Sequence, residues 1–123
     1  MNMEKNKNII LEKSFDFGLS IIYLYKELTE RKEFIISKQL LRSWTSIGAN
    51  LMESNSWESK KDFLHKISIS LKEAQETFYW LTHLEKSKLT ELNYTKHIKD
   101  VNEIIAILTK IIKTTKHNLD TEK

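Results

Sequence analysis

Two glutamates one helical turn apart, Glu73 and Glu76, are the residues of this sequence that come nearest to a catalytic pair. Two carboxylates at this spacing can divide the roles of general acid and general base in a proton transfer. Catalysis would also need residues that build a substrate pocket around them, and the neighbouring sequence supplies none. We therefore expect no enzyme activity from this pair.

Metal and cofactor chemistry has equally weak signals. A di-iron bundle needs Glu-x-x-His on two helices, and the nearest match is the single segment from Asp62 to His65, with His97 and Asp100 as a second weak candidate. The chain has no cysteine, and its two glycines are too far apart to form a phosphate-binding loop. We expect no metal site and no cofactor. The four histidines, His65, His83, His97 and His117, are expected at the surface or in a polar seam.

A row of basic residues near the C-terminus could contact phosphate. On a helix, these side chains lie opposite the apolar half: Lys96, Lys99, Lys110, Lys113 and His117. Such a row can follow a nucleic-acid backbone if it is repeated around an oligomer. For a single subunit, a solvated outer face explains it better. Glu103 lies among these residues, and no aromatic residues alternate with them, so any binding would be electrostatic rather than by base stacking.

The composition indicates what must position these residues. The chain has 123 residues, of which 40% are apolar and 30% charged, and it contains no proline. Because turn residues are so scarce, long helices with short polar links are expected. We predict one all-α domain, an antiparallel up-down four-helix bundle. No apolar run nears the roughly 20 residues that span a bilayer, and residues 1–13 do not read as a secretory signal. The lack of cysteine suits the cytoplasm.

Periodicity and capping residues give the expected boundaries. Residues 1–13 are predicted to be a flexible leader, 14–117 the bundle and 118–123 a frayed tail. Ser14 is expected to cap helix 1, Ser59 to cap helix 3 together with Asp62, and Thr90 to cap helix 4. The predicted helices are 15–28, 33–54, 60–86 and 91–117, with links at 29–32 and 55–59.

Helix 4 carries two adjacent apolar rows that together cover about half of its circumference. The first row, which we expect to face the core, is Ile98, Val101, Ile105, Leu108 and Ile112. The second is Ile104, Ile107 and Ile111. The second row either belongs to an unusually apolar core helix or packs on another subunit, and we favour the subunit contact because exposed apolar rows mark interfaces.

Helices 2 and 3 are predicted to carry a polar seam beside their core faces. On helix 2 the seam comprises Gln39, Arg42, Ser46 and Glu53, with Asn50 between seam and core; on helix 3 it comprises Ile69, Glu73, Glu76, Trp80 and His83. Arg42 facing Glu73 or Glu76 would fix the register of the two helices through paired hydrogen bonds. The alternative, that these charges are solvated and unpaired, is equally compatible with the sequence.

Several segments resemble one bacterial family, the four-helix-bundle proteins encoded by intervening sequences within 23S rRNA genes. The matching segments are 37–43, 46–50 and 59–63, followed on helix 3 by 72–74, 76–77 and 79–81, and on helix 1 by Phe15 and Leu24-Tyr25. The resemblance extends over residues 14–117. The chain departs from the family pattern at Trp44, where a small residue is usual, and at 54–57.

The resemblance implies an up-down bundle that forms a homopentameric ring and has no known enzyme activity. The accessory variability determinant of diversity-generating retroelements is a relative of this family. Through that relative, the resemblance implies contact with nucleic acid and with a reverse transcriptase. We therefore expect a cytoplasmic, homo-oligomeric nucleic-acid-binding module. The alternative is an assembly scaffold that binds a partner protein without nucleic acid.

Overall fold

Four long helices make up the part of the chain that the structure describes. The structure is a computed structural model and describes residues 3–54 and 59–121. The helices are α1 (Met3–Glu30), α2 (Ile36–Ser54), α3 (Lys60–Ser87) and α4 (Thr95–Thr121). No strand occurs among the described residues. The prediction of an all-α four-helix bundle is confirmed.

Each helix packs against two others, in the cyclic order α1, α2, α3, α4. Contacts between α2 and α3 show their relative direction: Ser43 meets Thr77, whereas the later residue Ile47 meets the earlier residue Ser70. Because the residue numbers rise on one helix as they fall on the other, α2 and α3 run in opposite directions. The apolar core lies between all four helices and draws residues from each. Within the described residues, no helix has an apolar stretch long enough to cross a membrane.

The first helix begins well before the predicted boundary. The expectation of a flexible leader over 1–13 is wrong for the residues described, because α1 already starts at Met3. Ile10 is 1% exposed and belongs to the core, so this segment is anchored by burial of an apolar side chain. Ser14, predicted as an N-cap, lies inside α1 and is buried. Residues 1 and 2 lie outside the described residues.

Side chains cap the second and third helices. The Glu33 carboxylate accepts hydrogen bonds from the backbone N–H groups of Ile36 at 2.9 Å and Ser37 at 2.7 Å, so Glu33 precedes α2 as a cap rather than forming its first turn. Ser59 caps α3 as predicted, since its hydroxyl accepts from the Asp62 N–H at 3.1 Å. The remainder of the predicted link, residues 55–58, lies outside the described residues.

The fourth helix begins and ends later than predicted. Thr90 does not cap it; the Thr90 hydroxyl instead pairs with the Tyr94 hydroxyl, and Tyr94 is buried just before the first turn. Asn93 accepts from the Thr95 N–H at 2.9 Å and supplies the local turn. The tail predicted from residue 118 is helical through Thr121, and residues 122 and 123 lie outside the description.

A glycine on α1 makes room for a tryptophan on α2. A Cβ built at Gly18 would lie 1.8 Å from the Trp44 ring, which is an impossible contact. The Trp44 indole N–H also donates to the Ser14 backbone carbonyl at 3.3 Å, so the ring lies across α1 at this point. The bulky Trp44 ring is thus matched by a missing side chain at Gly18 on the opposite helix.

We expect Gly18→Ala to lower the free energy of unfolding by about 1–3 kcal/mol, since the added methyl group must displace the Trp44 ring. In a Trp44→Ala background the same change should be neutral, or stabilising by up to about 1 kcal/mol, because alanine favours a helix over glycine. Gly48→Ala is the matched control, because a Cβ there meets no atom within 4 Å. Urea unfolding of wild type, Gly18→Ala, Trp44→Ala, their double variant and Gly48→Ala measures these differences. Equal effects of Gly18→Ala in both backgrounds would contradict the explanation.

Candidate functional site

Arg42 of α2 bridges two carboxylates on α3. Its guanidinium pairs with Glu76, and its Nη1 lies 3.5 Å from Glu73 Oε2. Gln39 steadies the arginine, since Arg42 Nε donates to Gln39 Oε1 at 3.2 Å. The predicted contact of Arg42 with Glu73 or Glu76 is confirmed with both acids. Glu73 and Glu76, which the sequence presented as the nearest match to a catalytic pair, are therefore both paired with a cation from the adjacent helix.

The other predicted seam residues lie along the same side of the α2–α3 pair. The Trp80 indole donates to Glu76 Oε1 at 3.4 Å, and Lys66 pairs with Glu53 at 2.6 Å. Asn50 does not reach across to α3: its amide donates to the Ser46 backbone carbonyl at 2.8 Å. The seam residues are thus brought together on one face, and their role as a contact between subunits stays a prediction.

Small polar residues beneath the seam bring α2 and α3 close together. The Ser43 and Thr77 hydroxyls are 2.8 Å apart, and both residues are fully buried. Ser70 donates to the Ile47 backbone carbonyl at 3.3 Å, a contact that only small side chains permit. Buried hydroxyls of this kind are favourable when they find partners. The small central residues predicted to allow close approach of these helices therefore do so.

The charge state of the seam is set by competing effects at Glu73. Burial raises the pKa of the Glu73 carboxyl, and the neighbouring Glu76 carboxylate raises it further, while Arg42 opposes both. The Glu73 side chain is 18% exposed, whereas Arg42 is 50% exposed. The arrangement holds two acids beside one cation in a partly dehydrated position, which suits a structural ion-pair network.

The basic row on α4 faces solvent, as predicted. Its five members are all exposed: Lys96, Lys99, Lys110, Lys113 and His117. The two acids near the row are neutralised by partners, since Glu103 pairs with Lys13 at 2.9 Å and Asp100 with Lys96 at 2.7 Å. Three lysines, Lys99, Lys110 and Lys113, form no ion pair within the described residues and leave the row with an excess of positive charge.

The predicted second apolar row on α4 is not a subunit surface. Ile104 is 1% exposed and Ile111 is fully buried, so both are core residues of their own subunit, and Ile107 is half-buried against the same core. The core direction of α4 lies between the two predicted rows, which leaves Ile105 and Ile112 at its edge. The interpretation of an unusually apolar core helix is correct, and the interpretation of an exposed interface row is wrong for Ile104 and Ile111.

One histidine departs from the expected surface position. His65, His83 and His117 are exposed, but His97 of α4 is partly buried, with the Ser20 backbone of α1 beside it. Burial lowers the pKa of His97, and its Nδ1 atom is buried without a hydrogen-bond partner. Within residues 3–54 and 59–121, no three His, Asp or Glu side chains are grouped so as to hold a metal ion.

Sequence reasoning missed an apolar row on the outer side of α1. Phe15, Leu19, Ile22 and Tyr23 are 68%, 42%, 47% and 67% exposed. Their spacing of four, three and one residues was a readable signal of a single helix side. The core row of the same helix hides this signal, because the two rows together make the sequence of α1 look apolar on all sides.

Comparisons with known proteins agree on one family. The model of the 23S rRNA-intervening sequence protein family matches residues 6–110. A crystal structure from Bacteroides thetaiotaomicron VPI-5482, of an S23 ribosomal protein family member with unknown function, is similar with a TM-score of 0.82 and 45% sequence identity. The match covers 88% of this chain and 98% of the other. Comparison with curated proteins gives no match.

We expect Arg42→Ala to lower the free energy of unfolding by less than about 1 kcal/mol, because the guanidinium is half exposed and solvent screens the ion pair. Lys38→Ala, at an exposed position one turn earlier on α2, is the control. Chemical denaturation measures both. A loss of about 3–5 kcal/mol for Arg42→Ala would instead mean that another subunit buries the pair, as for a buried charge left without its partner.

We expect acid to destabilise the fold through His97. Its pKa is lower in the folded chain than its ordinary value of 6.5, so the unfolded chain binds the proton more readily. The stability that neutral His97 contributes is complete above about pH 6.5 and is lost as the pH falls toward the folded-state pKa. The difference in unfolding free energy between wild type and His97→Gln, measured from pH 8 to 5, should therefore decline. His65→Gln is the exposed control, and a flat difference for His97→Gln would contradict the assignment.

Proposed function

Since the chain belongs to the 23S rRNA-intervening sequence protein family, we propose that it is a non-enzymatic, homo-oligomeric module that binds nucleic acid through the lysines of α4. The observation that carries this proposal is the row of Lys99, Lys110 and Lys113, exposed and free of ion pairs within the described residues. The family resemblance supplies the expectation of five subunits. A cytoplasmic location is part of the same proposal.

The spacing of the three lysines fits contact with a phosphate backbone. At a rise of 1.5 Å per residue, Lys99 and Lys113 lie about 21 Å apart along α4, roughly the length of six base pairs. Pairing of Glu103 with Lys13 and of Asp100 with Lys96 removes the nearest repulsive charges. The row thus offers separate point charges without base-reading groups, which favours binding that depends little on sequence.

A repeated row compensates for the small charge of one chain. The net charge is only +3, so one subunit should bind weakly. In an oligomer, several rows can contact one nucleic acid, and the second contact gains from the first through a raised local concentration. Binding in the micromolar range at low salt is expected, with loss near physiological salt unless a partner adds contacts.

The absence of enzyme activity is part of the proposal. Its support is the engagement of Glu73 and Glu76 by Arg42, together with the Trp80 indole on Glu76. Carboxylates held in this way brace two helices against each other. A general base would need one of them available to a substrate proton within hydrogen-bonding distance.

A scaffold that holds a partner protein without nucleic acid is the second candidate. The outward apolar row of α1 favours it, because exposed apolar surface of this kind marks protein contacts. The two candidates differ in which surface is needed, since one requires the α4 lysines and the other does not.

Charge reversal of the row tests the proposal. Lys99→Glu, Lys110→Glu and Lys113→Glu in one chain should abolish measurable binding to RNA and DNA at low salt. The matched control reverses three exposed lysines of α3, with Lys61→Glu, Lys72→Glu and Lys86→Glu. It changes the net charge equally and should retain most of the binding.

In the wild type, each lysine–phosphate contact should contribute about 0.9 to the slope of log affinity against log salt on duplex, and about 0.7 on single strands. Three contacts per subunit therefore give a slope of about 2.7 on duplex for each subunit engaged. Filter binding at several salt concentrations measures it. Equal loss in both triple variants, or no wild-type binding at low salt, would contradict the role of α4 and favour the scaffold.

A further inference from the structure

A groove between the outer sides of α1 and α2 is bounded mainly by carbon atoms. Its volume is about 410 Å³, which lies within the range of about 300–1,000 Å³ typical of small-molecule sites. Its apolar walls are Leu11 and Phe15 from α1 and Trp44, Leu51 and Met52 from α2. Among the described residues, no charged side chain lines this groove.

Ser14, which lines the groove from α1, carries a buried hydroxyl without a partner. The residue is 5% exposed, and its Oγ atom forms no hydrogen bond with the described part of the chain. The other buried serines among the described residues each donate to a backbone carbonyl: Ser37, Ser43, Ser54 and Ser70. Buried hydroxyls are normally paired, because burial removes them from water. Ser14 therefore has a hydrogen-bonding capacity that its own subunit does not use.

The other polar groups of the groove are already engaged. The Trp44 indole N–H donates to the Ser14 backbone carbonyl at 3.3 Å, which fixes the ring as a wall. The Thr45 hydroxyl donates to the Leu41 backbone carbonyl at 2.6 Å. A buried water molecule is held by about two to four polar partners, more than this lining offers. The groove instead suits a molecule with an apolar body and a single polar group.

Gly48 keeps the groove wide. A glycine inside a helix weakens that helix relative to alanine, so it calls for a reason. Gly18 has one in the Trp44 ring, but a Cβ at Gly48 would meet no atom within 4 Å. Gly48 lines the groove, and a side chain there would take up part of its volume. The packing of the subunit thus does not require this glycine, whereas an occupant of the groove would.

The walls of the groove indicate the chemistry of that occupant. Two aromatic rings, Phe15 and Trp44, and the thioether of Met52 favour contact with another aromatic ring. A charged molecule would lose its hydration without gaining a charged partner, so a neutral one is favoured. The free hydroxyl of Ser14 requires one hydrogen-bonding group on the ligand.

From these observations we infer that the groove between α1 and α2 binds a neutral aromatic molecule of one or two rings, whose polar group forms a hydrogen bond with Ser14 Oγ. Phe15 and Met52, which are 68% and 66% exposed, form its outer margin and become covered when the ligand binds. The site lies apart from the lysines of α4, so this inference does not depend on nucleic-acid binding.

Two matched probes test the site by isothermal titration calorimetry of the full chain. The first is 2-naphthol, and the second is naphthalene, which lacks the hydroxyl. Wild type should bind 2-naphthol about three- to tenfold more tightly than naphthalene, the contribution of one hydrogen bond. The charged analogue 2-naphthoate should bind more weakly than either probe, because the groove offers no cation.

Ser14→Ala separates the hydrogen bond from the apolar contact. This variant should bind 2-naphthol as weakly as naphthalene and should leave the affinity for naphthalene unchanged. The control is Ser20→Ala, also on α1 but outside the groove, where the hydroxyl donates to the Phe17 carbonyl. It should keep the preference of wild type for 2-naphthol.

Gly48→Leu tests the location. Its side chain should fill the groove and weaken binding of both probes by about tenfold or more, because the ligand and the leucine would overlap. Circular dichroism should show a folded protein, since a Cβ at this position meets no atom within 4 Å. Ala106→Leu, at an exposed position of α4, is the control and should bind both probes like wild type.

Three results would overturn the inference. Equal wild-type affinity for the two probes, or a preference for 2-naphthol that survives Ser14→Ala, would remove the Ser14 contact. Unchanged binding in Gly48→Leu would place the probes elsewhere on the protein. Binding of neither probe up to its solubility limit would exclude the ligand site, and a changed mass of Gly48→Leu in light scattering would then assign the groove to a protein contact.

Discussion

The close approach of α2 and α3 is the constraint on which the other features of the structure depend. It rests on the buried hydrogen bond between Ser43 and Thr77 and on the contact of Ser70 with the Ile47 carbonyl. Larger residues at these positions would separate the helices, and a hydroxyl without its partner would be left buried and unsatisfied. The short separation puts Arg42 within reach of both Glu73 and Glu76. On its other side, α2 directs Trp44 onto α1, where only a glycine fits.

This arrangement separates three surfaces of the subunit. The α2–α3 side carries an ion-pair network centred on Arg42, α4 presents lysines to solvent, and the outer side of α1 carries an exposed apolar row. The family is named after intervening sequences of 23S rRNA, and this name does not specify a molecular function. The proposed division of roles therefore comes from the chemistry of each surface: the lysines suit phosphate, the outward apolar row of α1 suits protein, and the ion-pair network sets the register of α2 against α3.

The sequence predicted the number of helices, the Ser59 cap and the Arg42 contact, because each depends on local periodicity or on neighbours one helix away. The sequence-based predictions failed where the result depends on which side chains become buried in the folded chain. Ile10 draws residues of the predicted leader into the core, and Ile104 with Ile111 turn inward because the core direction of α4 falls between two apolar rows. The outward row of α1 was missed for the related reason that a sequence alone cannot show which of two apolar sides finds a partner inside the subunit.

The central claim is that nucleic acid contacts α4 while other lysine-bearing surfaces stay free of it. Acetylation rates of individual lysines, measured by mass spectrometry with and without RNA at low salt, test this claim most directly. Slower modification of Lys99, Lys110 and Lys113, with unchanged rates at Lys38, Lys61 and Lys72, is the result expected. Protection spread evenly over all lysines, or confined to Lys38 and the α3 lysines, would contradict it.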